Sequence, residues 1–134
     1  MTTIAEARDS LAGAITTGAG LRAIPYLSST IAHPCAHVRL GAYDPRMVLG
    51  KSRAEYQFSV SVFVGVASER SAQARCDVLR EPSGSGSLVA AIEDGALWAA
   101  NVDYAQVILV GEPTEVVIAE ETLMMFEVDV EVVF

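Results

Sequence analysis

The clearest pattern in the chain is the alternation that starts at Glu55. Tyr56, Phe58, Val60, Val62, Val64 and Val66 fall on one parity, against Glu55, Gln57, Ser59 and Ser61 on the other. Successive side chains of a strand point to opposite faces, so this stretch predicts a long, half-buried strand. The same period returns in Leu123-Met-Met-Phe-Glu-Val-Asp-Val-Glu-Val-Val-Phe134, where Phe126, Val128, Val130 and Val132 alternate with Glu127, Asp129 and Glu131. A last strand over 122–134 follows, with an apolar face and a face of carboxylates. Shorter extended pieces are expected at 21–24 and 36–40, set apart by Pro25 and Pro34, and further strands at 102–111 and 115–119 around Pro113.

Helical spacing occupies the gaps. Thr3-Ile-Ala-Glu6 has the spacing of a capping box, and Ile4, Leu11 and Ile15 recur on one helical face, giving a helix over 4–17 with Gly18 and Gly20 as stops. Ser68 is placed to cap a helix with the stripe Ala72, Cys76, Leu79, and Ser87 to cap a short helix from Leu88 to about Asp94. Ala96 to Ala100 fits neither period, and Trp98 within it reads as core. The stretch at about 41–54, with Pro45 and Gly50, reads as a long hairpin loop, and Glu81-Pro-Ser-Gly-Ser-Gly-Ser87 as a break too short to separate domains. Helix, strands, helices, strands in that order predict an α+β layer over 1–134: a mixed or antiparallel sheet of about four to five strands, with two to three helices on one face.

At 134 residues the chain suits one domain, able to bury roughly two thirds of its unfolded surface. It is 51% hydrophobic and 19% charged, a globular composition whose positive mean hydropathy hints at apolar surface covered by association. There is no membrane-length apolar window and no secretory leader pattern, so a membrane role is not expected. Two cysteines, Cys35 and Cys76, make no disulfide framework and point to free thiols in a cytosolic history.

Charge changes the picture more. Residues 1–80 hold six carboxylates and nine Lys or Arg, a sum of +3; residues 81–134 hold eleven carboxylates and no Lys or Arg, a sum of −11. Together they give the formal net charge of −8. An acidic chain without clustered bases disfavours general nucleic-acid binding. Four of the nine bases, Arg39, Arg46, Lys51 and Arg53, fall within fifteen residues in and beside the predicted loop. They can remain solvated, or reach the acidic surface of a neighbouring copy, and head-to-tail contact of unlike patches closes into rings.

Candidate chemistry is sparse. His33-Pro-Cys35-Ala-His37 groups metal-ligand types on one face of an extended segment, but Pro34 bends it and a fourth ligand is missing. Cys35 beside a histidine is the sole nucleophile–base pair. The row Glu127, Asp129, Glu131 is too regular for acid–base work, which needs carboxylates in unlike environments. Neither a serine-nucleophile elbow nor a phosphate-binding loop is present. No enzyme activity, metal or cofactor is expected.

Several of these residues together carry a family likeness. Tyr56-Gln-Phe-Ser-Val-Ser-Val-Phe-Val-Gly65 runs into Ala67-Ser-Glu-Arg-Ser-Ala-Gln-Ala-Arg-Cys-Asp-Val-Leu79. Then follow the break Ser83 to Ser87, Leu88-Val-Ala-Ala-Ile92, Trp98 and the acidic strand Glu127-Val-Asp-Val-Glu-Val. From about Leu21 onward the chain resembles the tail terminator (tail completion, or head–tail joining) proteins of phages with long, non-contractile tails, especially those of actinobacterial hosts. It departs most over Ile31 to Leu49, and His33, Cys35 and His37 match nothing in the family's pattern.

The resemblance implies a virion protein, assembled in the host cytoplasm, that forms a hexameric ring with itself at the head-proximal end of the tail tube. Its partners would be the major tail tube protein and a neck or head-completion protein, and DNA would pass through without specific binding. On that reading Arg39, Arg46, Lys51 and Arg53 are candidate oligomer or partner contacts, and Glu127, Asp129 and Glu131 face the lumen or an inter-subunit seam. Two other readings stay open at this point: another neck, head-completion or tube component, and a small metal- or ligand-binding module using His33, Cys35 and His37.

Overall fold

A computed structural model describes residues 3–26, 34–41, 55–99, 102 and 104–133. In chain order the elements are α1 (Ile4–Ala19), β1 (Arg22–Ile24), β2 (Cys35–Leu40), β3 (Glu55–Val66), α2 (Arg70–Arg80) and α3 (Leu88–Glu93). A 3₁₀ turn (Gly95–Leu97), β4 (Tyr104–Val110), β5 (Thr114–Ile118) and β6 (Glu121–Val133) follow. The class is α+β, with three helices and a mixed sheet of six strands among the described residues. The sheet runs β1-β2-β3-β6-β4, and β5 also pairs with β6. Among the described residues β1 and β2 pair in parallel, and the other pairings are antiparallel.

The core follows from the two alternating strands. In the β3–β6 ladder Tyr56 faces Val132, Phe58 faces Val130, Val60 faces Val128 and Val62 faces Phe126. Each pair stacks two apolar side chains on one face, the arrangement that stabilises a sheet most directly. Helices cover that face. Leu11 and Ile15 of α1, Ala72, Cys76 and Leu79 of α2, and Leu88 and Ile92 of α3 are buried in one cluster with these strand residues. Burying each large aliphatic or aromatic side chain contributes about 1.5 to 3 kcal/mol. Trp98 belongs to the same cluster, and its ring N–H donates to the Ile92 carbonyl at 2.8 Å.

The helix ends show which local signals operate. The capping box of α1 is formed: Thr3 Oγ1 accepts from the Glu6 N–H at 3.1 Å, and a Glu6 carboxylate oxygen accepts from the Thr3 N–H at 3.4 Å. The helix runs through Gly18 and ends at Gly20, whose φ of 67° is left-handed. Gly18 is therefore no stop. A Cβ there would lie 2.6 Å from the Ala91 Cβ, so its role is to let α1 approach α3. Ser87 caps α3, accepting from the Ala90 N–H at 3.2 Å. Ser68 does not cap α2. The Glu69 N–H bonds back to the Val66 carbonyl in a turn, which puts Glu69 at the cap position without a side-chain bond.

Two bulges correct the simple alternation. In β3 the register slips between Phe63 and Gly65, so Val66 pairs with Leu123, on the face opposite Val64. In β4 it slips between Val107 and Leu109, which leaves Ile108 unpaired and sets Leu109 beside Asp129. The expected loop at about 41–54 lies outside the described residues, apart from Gly41.

Candidate functional site: the carboxylate face of the sheet

The helices occupy one face, and the other parity of each strand builds the second. Three rows cross it. Gln57, Glu131 and Gln106 stand side by side; so do Arg39, Ser59, Asp129 and Leu109; so do His37, Ser61 and Glu127. The carboxylates thus lie on an inner strand, flanked by glutamines and serines. Glu127 is exposed, and Asp129 and Glu131 are half-buried.

Along β6 these carboxylates are spaced about 7 Å, two residues of a strand. At that separation two unit charges repel by about 0.6 kcal/mol in water, and several times more where the dielectric falls. The row is thus tolerable while wet and costly when dry. Among the described residues, Arg39 moderates it. Arg39 Nη2 donates to Glu127 Oε1 at 2.9 Å, and Ser61 Oγ contacts the same oxygen at 3.4 Å. Both side chains of the ion pair are nearly half exposed (44% and 47%), so its contribution to stability is under about 1 kcal/mol. Arg39 thereby meets an acidic partner within its own chain. Arg46, Lys51 and Arg53 lie outside the described residues.

Beyond the polar rows the same face turns apolar. Cys35 pairs with Phe63, and Phe63 with Met125. Cys35, His37 and Phe63 are all buried. The His37 ring meets the Phe63 ring edge-on, 5.4 Å between centroids, and its Nε2 lies 3.8 Å from Cys35 Sγ. Burial lowers the His37 pKa below its ordinary value of 6.5, which favours the neutral imidazole. Cys35 and Cys76 are both buried, and neither is in a disulfide. His33 lies outside the described residues, and among those described no group of three His, Cys, Asp or Glu side chains is placed to hold a metal ion.

Sequence reasoning placed the acidic row on one face but missed the Arg39–Glu127 pair. The two are 88 residues apart, and only the β2–β3–β6 register brings them together. Also missed were two side chains that cap the free strand edges: Glu93 accepts from the Val107 N–H at 3.0 Å, and Thr16 Oγ1 from the Ala23 N–H at 3.2 Å.

Compared with known protein families and with curated proteins, the chain matches none. No helix among the described residues is long and apolar enough to cross a membrane.

Proposed function

We propose that this chain is a virion structural protein, a tail terminator that closes into a hexameric ring on the head-proximal end of a long, non-contractile phage tail tube. The ring ends tube growth and offers a surface to a neck or head-completion protein. The observation that carries this reading is the row Glu127, Asp129, Glu131 on the face opposite the helices, flanked by Ser59, Ser61 and Gln57. A broad acidic wall of this kind binds no phosphate. It suits a lumen through which DNA must pass without sticking, and because the row is costly when dry it belongs on the wet lumen rather than in a closed seam. The likeness of the sequence to tail terminators supports the same conclusion. The protein acts without catalysis and without a cofactor.

Mass measured by light scattering, alone and with the cognate tube protein, tests the reading together with negative-stain imaging. A closed ring, or a cap confined to one end of each tube, is the expected result. A monomer that ignores tube ends overturns it. The wall has its own test: replacing Glu127, Asp129 and Glu131 with lysine should leave the fold intact but make assembled rings retain DNA. Rings that release DNA as before would remove the lumen assignment.

A further inference from the structure

The charge division along the sequence is carried only partly into the sheet, because β4 itself holds no carboxylate and Arg39 is already paired with Glu127 of the inner strand β6. β1 and β2 carry Arg22 and Arg39 and no carboxylate, whereas residues 104–133, which hold β4, β5 and β6, carry seven carboxylates and no Lys or Arg. Sheet order sets β1 at one edge and β4 at the other. The β4 edge is apolar, and the exposed carboxylates near it lie before and on β5. Ile108 and Leu109 on β4 are 52% and 59% exposed, and Val117 on β5 is 69% exposed, with Glu112 and Glu115 exposed nearby in sequence. At the opposite edge Arg22 is exposed and Tyr26 is 59% exposed. Arg and Tyr are the residue types that most often anchor an interface.

An apolar edge strand ordinarily invites another strand to continue the sheet. Here Glu93 takes the Val107 N–H, Thr16 takes the Ala23 N–H, and the Ile108 bulge breaks the register of β4. Both edges are thus blunted against strand addition, while the side chains around them remain available.

We propose that the β4 edge of one copy receives the β1 end of a second copy through side chains, without a continuous ladder. Ile108 and Leu109 pack against Tyr26, and Arg22 meets the carboxylate rim. The occupant is another copy because this chain itself supplies the matching basic, aromatic end, whereas a second acidic surface would be repelled. The two surfaces are unlike, so each copy uses both, and the contact repeats head to tail until it closes. The inference rests on the ring reading and names its seam.

The experiment is a mixing test on the full chain by light scattering, up to about 1 mM. Ile108→Arg disables the β4 edge and Arg22→Glu the β1 end; both sites are exposed, so thermal unfolding should be unchanged, and Leu109→Arg serves as a second β4 variant. Each variant alone should associate at least roughly tenfold more weakly than the wild type. Mixed one to one, they should form dimers that grow no further, because each retains one working end. Loss with Ile108→Arg but not Arg22→Glu would mean a symmetric contact and overturn the proposal. Rings that survive both changes would overturn the seam and leave the ring reading standing. A wild-type chain that is monomeric throughout also overturns the seam, and imaging of tube ends then decides the ring reading separately.

Discussion

Gly18 shows how one missing methyl group sets the distance between two helices. Alanine is the better helix former by about 1 kcal/mol, so Gly18→Ala would stabilise an isolated α1. In the protein its Cβ would meet the Ala91 Cβ at 2.6 Å and a Leu97 methyl at 2.7 Å. Overpacking of this kind costs about 1 to 3 kcal/mol, and we expect a net loss in urea unfolding. His37 acts through protonation instead. Its pKa is lowered by burial in the folded state, so the unfolded chain binds the proton more readily. Stability should be unaffected above the ordinary histidine value, fall as the pH drops through about 6.5, and level off below the lowered folded value. Urea midpoints measured between about pH 7 and about pH 5 should show this slope, above the range where carboxylates ordinarily titrate, and His37→Gln should flatten it.

Among the elements, the β5–β6 hairpin is closed with the least favourable residues. Ile118 pairs with Glu121, and the two residues between them, Ala119 and Glu120, have φ of 50° and 68°. Such left-handed positions favour Asn and Gly. Replacing Ala119-Glu120 by Asn-Gly should raise stability by on the order of 1 to 2 kcal/mol, read from the thermal midpoint. The strands flanking this turn, like β3 and α1, were legible because their pattern is local: period two from Tyr56 to Val64, a capping box at Thr3. What the sequence hid depends on partners. A bulge is a property of two strands, so the shift at Gly65 that turns Val66 to the other face leaves no mark on β3 alone. β1 was readable as an extended piece at 21–24, but that it pairs in parallel with β2 and so brings the sheet to six strands, above the four to five expected, depends on its partner. The site divides in the same way. The acidic row was readable from β6 itself, whereas the Arg39–Glu127 pair and the Glu93 cap exist only through register and helix placement.

At the scale of the whole molecule, electrostatics pulls in two directions. In the proposed ring, a charge of −8 on every copy would oppose assembly, while Arg22 at the β1 end and the carboxylates beside β4 would favour it when they meet. Opposed patches in contact lie within the Debye length of about 10 Å at 0.1 M salt, whereas most of the remaining charge is farther away and already screened. Association should therefore weaken as salt rises from about 0.05 M to about 0.5 M. Light scattering across that range measures the sign; association that strengthens with salt would mean that repulsion between copies dominates the seam.

The long central strand has a mechanical consequence. β6 is paired with β3 over residues 123–133 on one side, and on the other it is shared between β4, against residues 128–133, and β5, against residues 121–125. A pull along β6 loads both ladders in shear, many hydrogen bonds at once, whereas a pull across the sheet opens them one after another like a zip. The fold is therefore stiffest along a single axis. A part placed in a conduit that carries pressurised contents would resist rupture best with that axis aligned to the load.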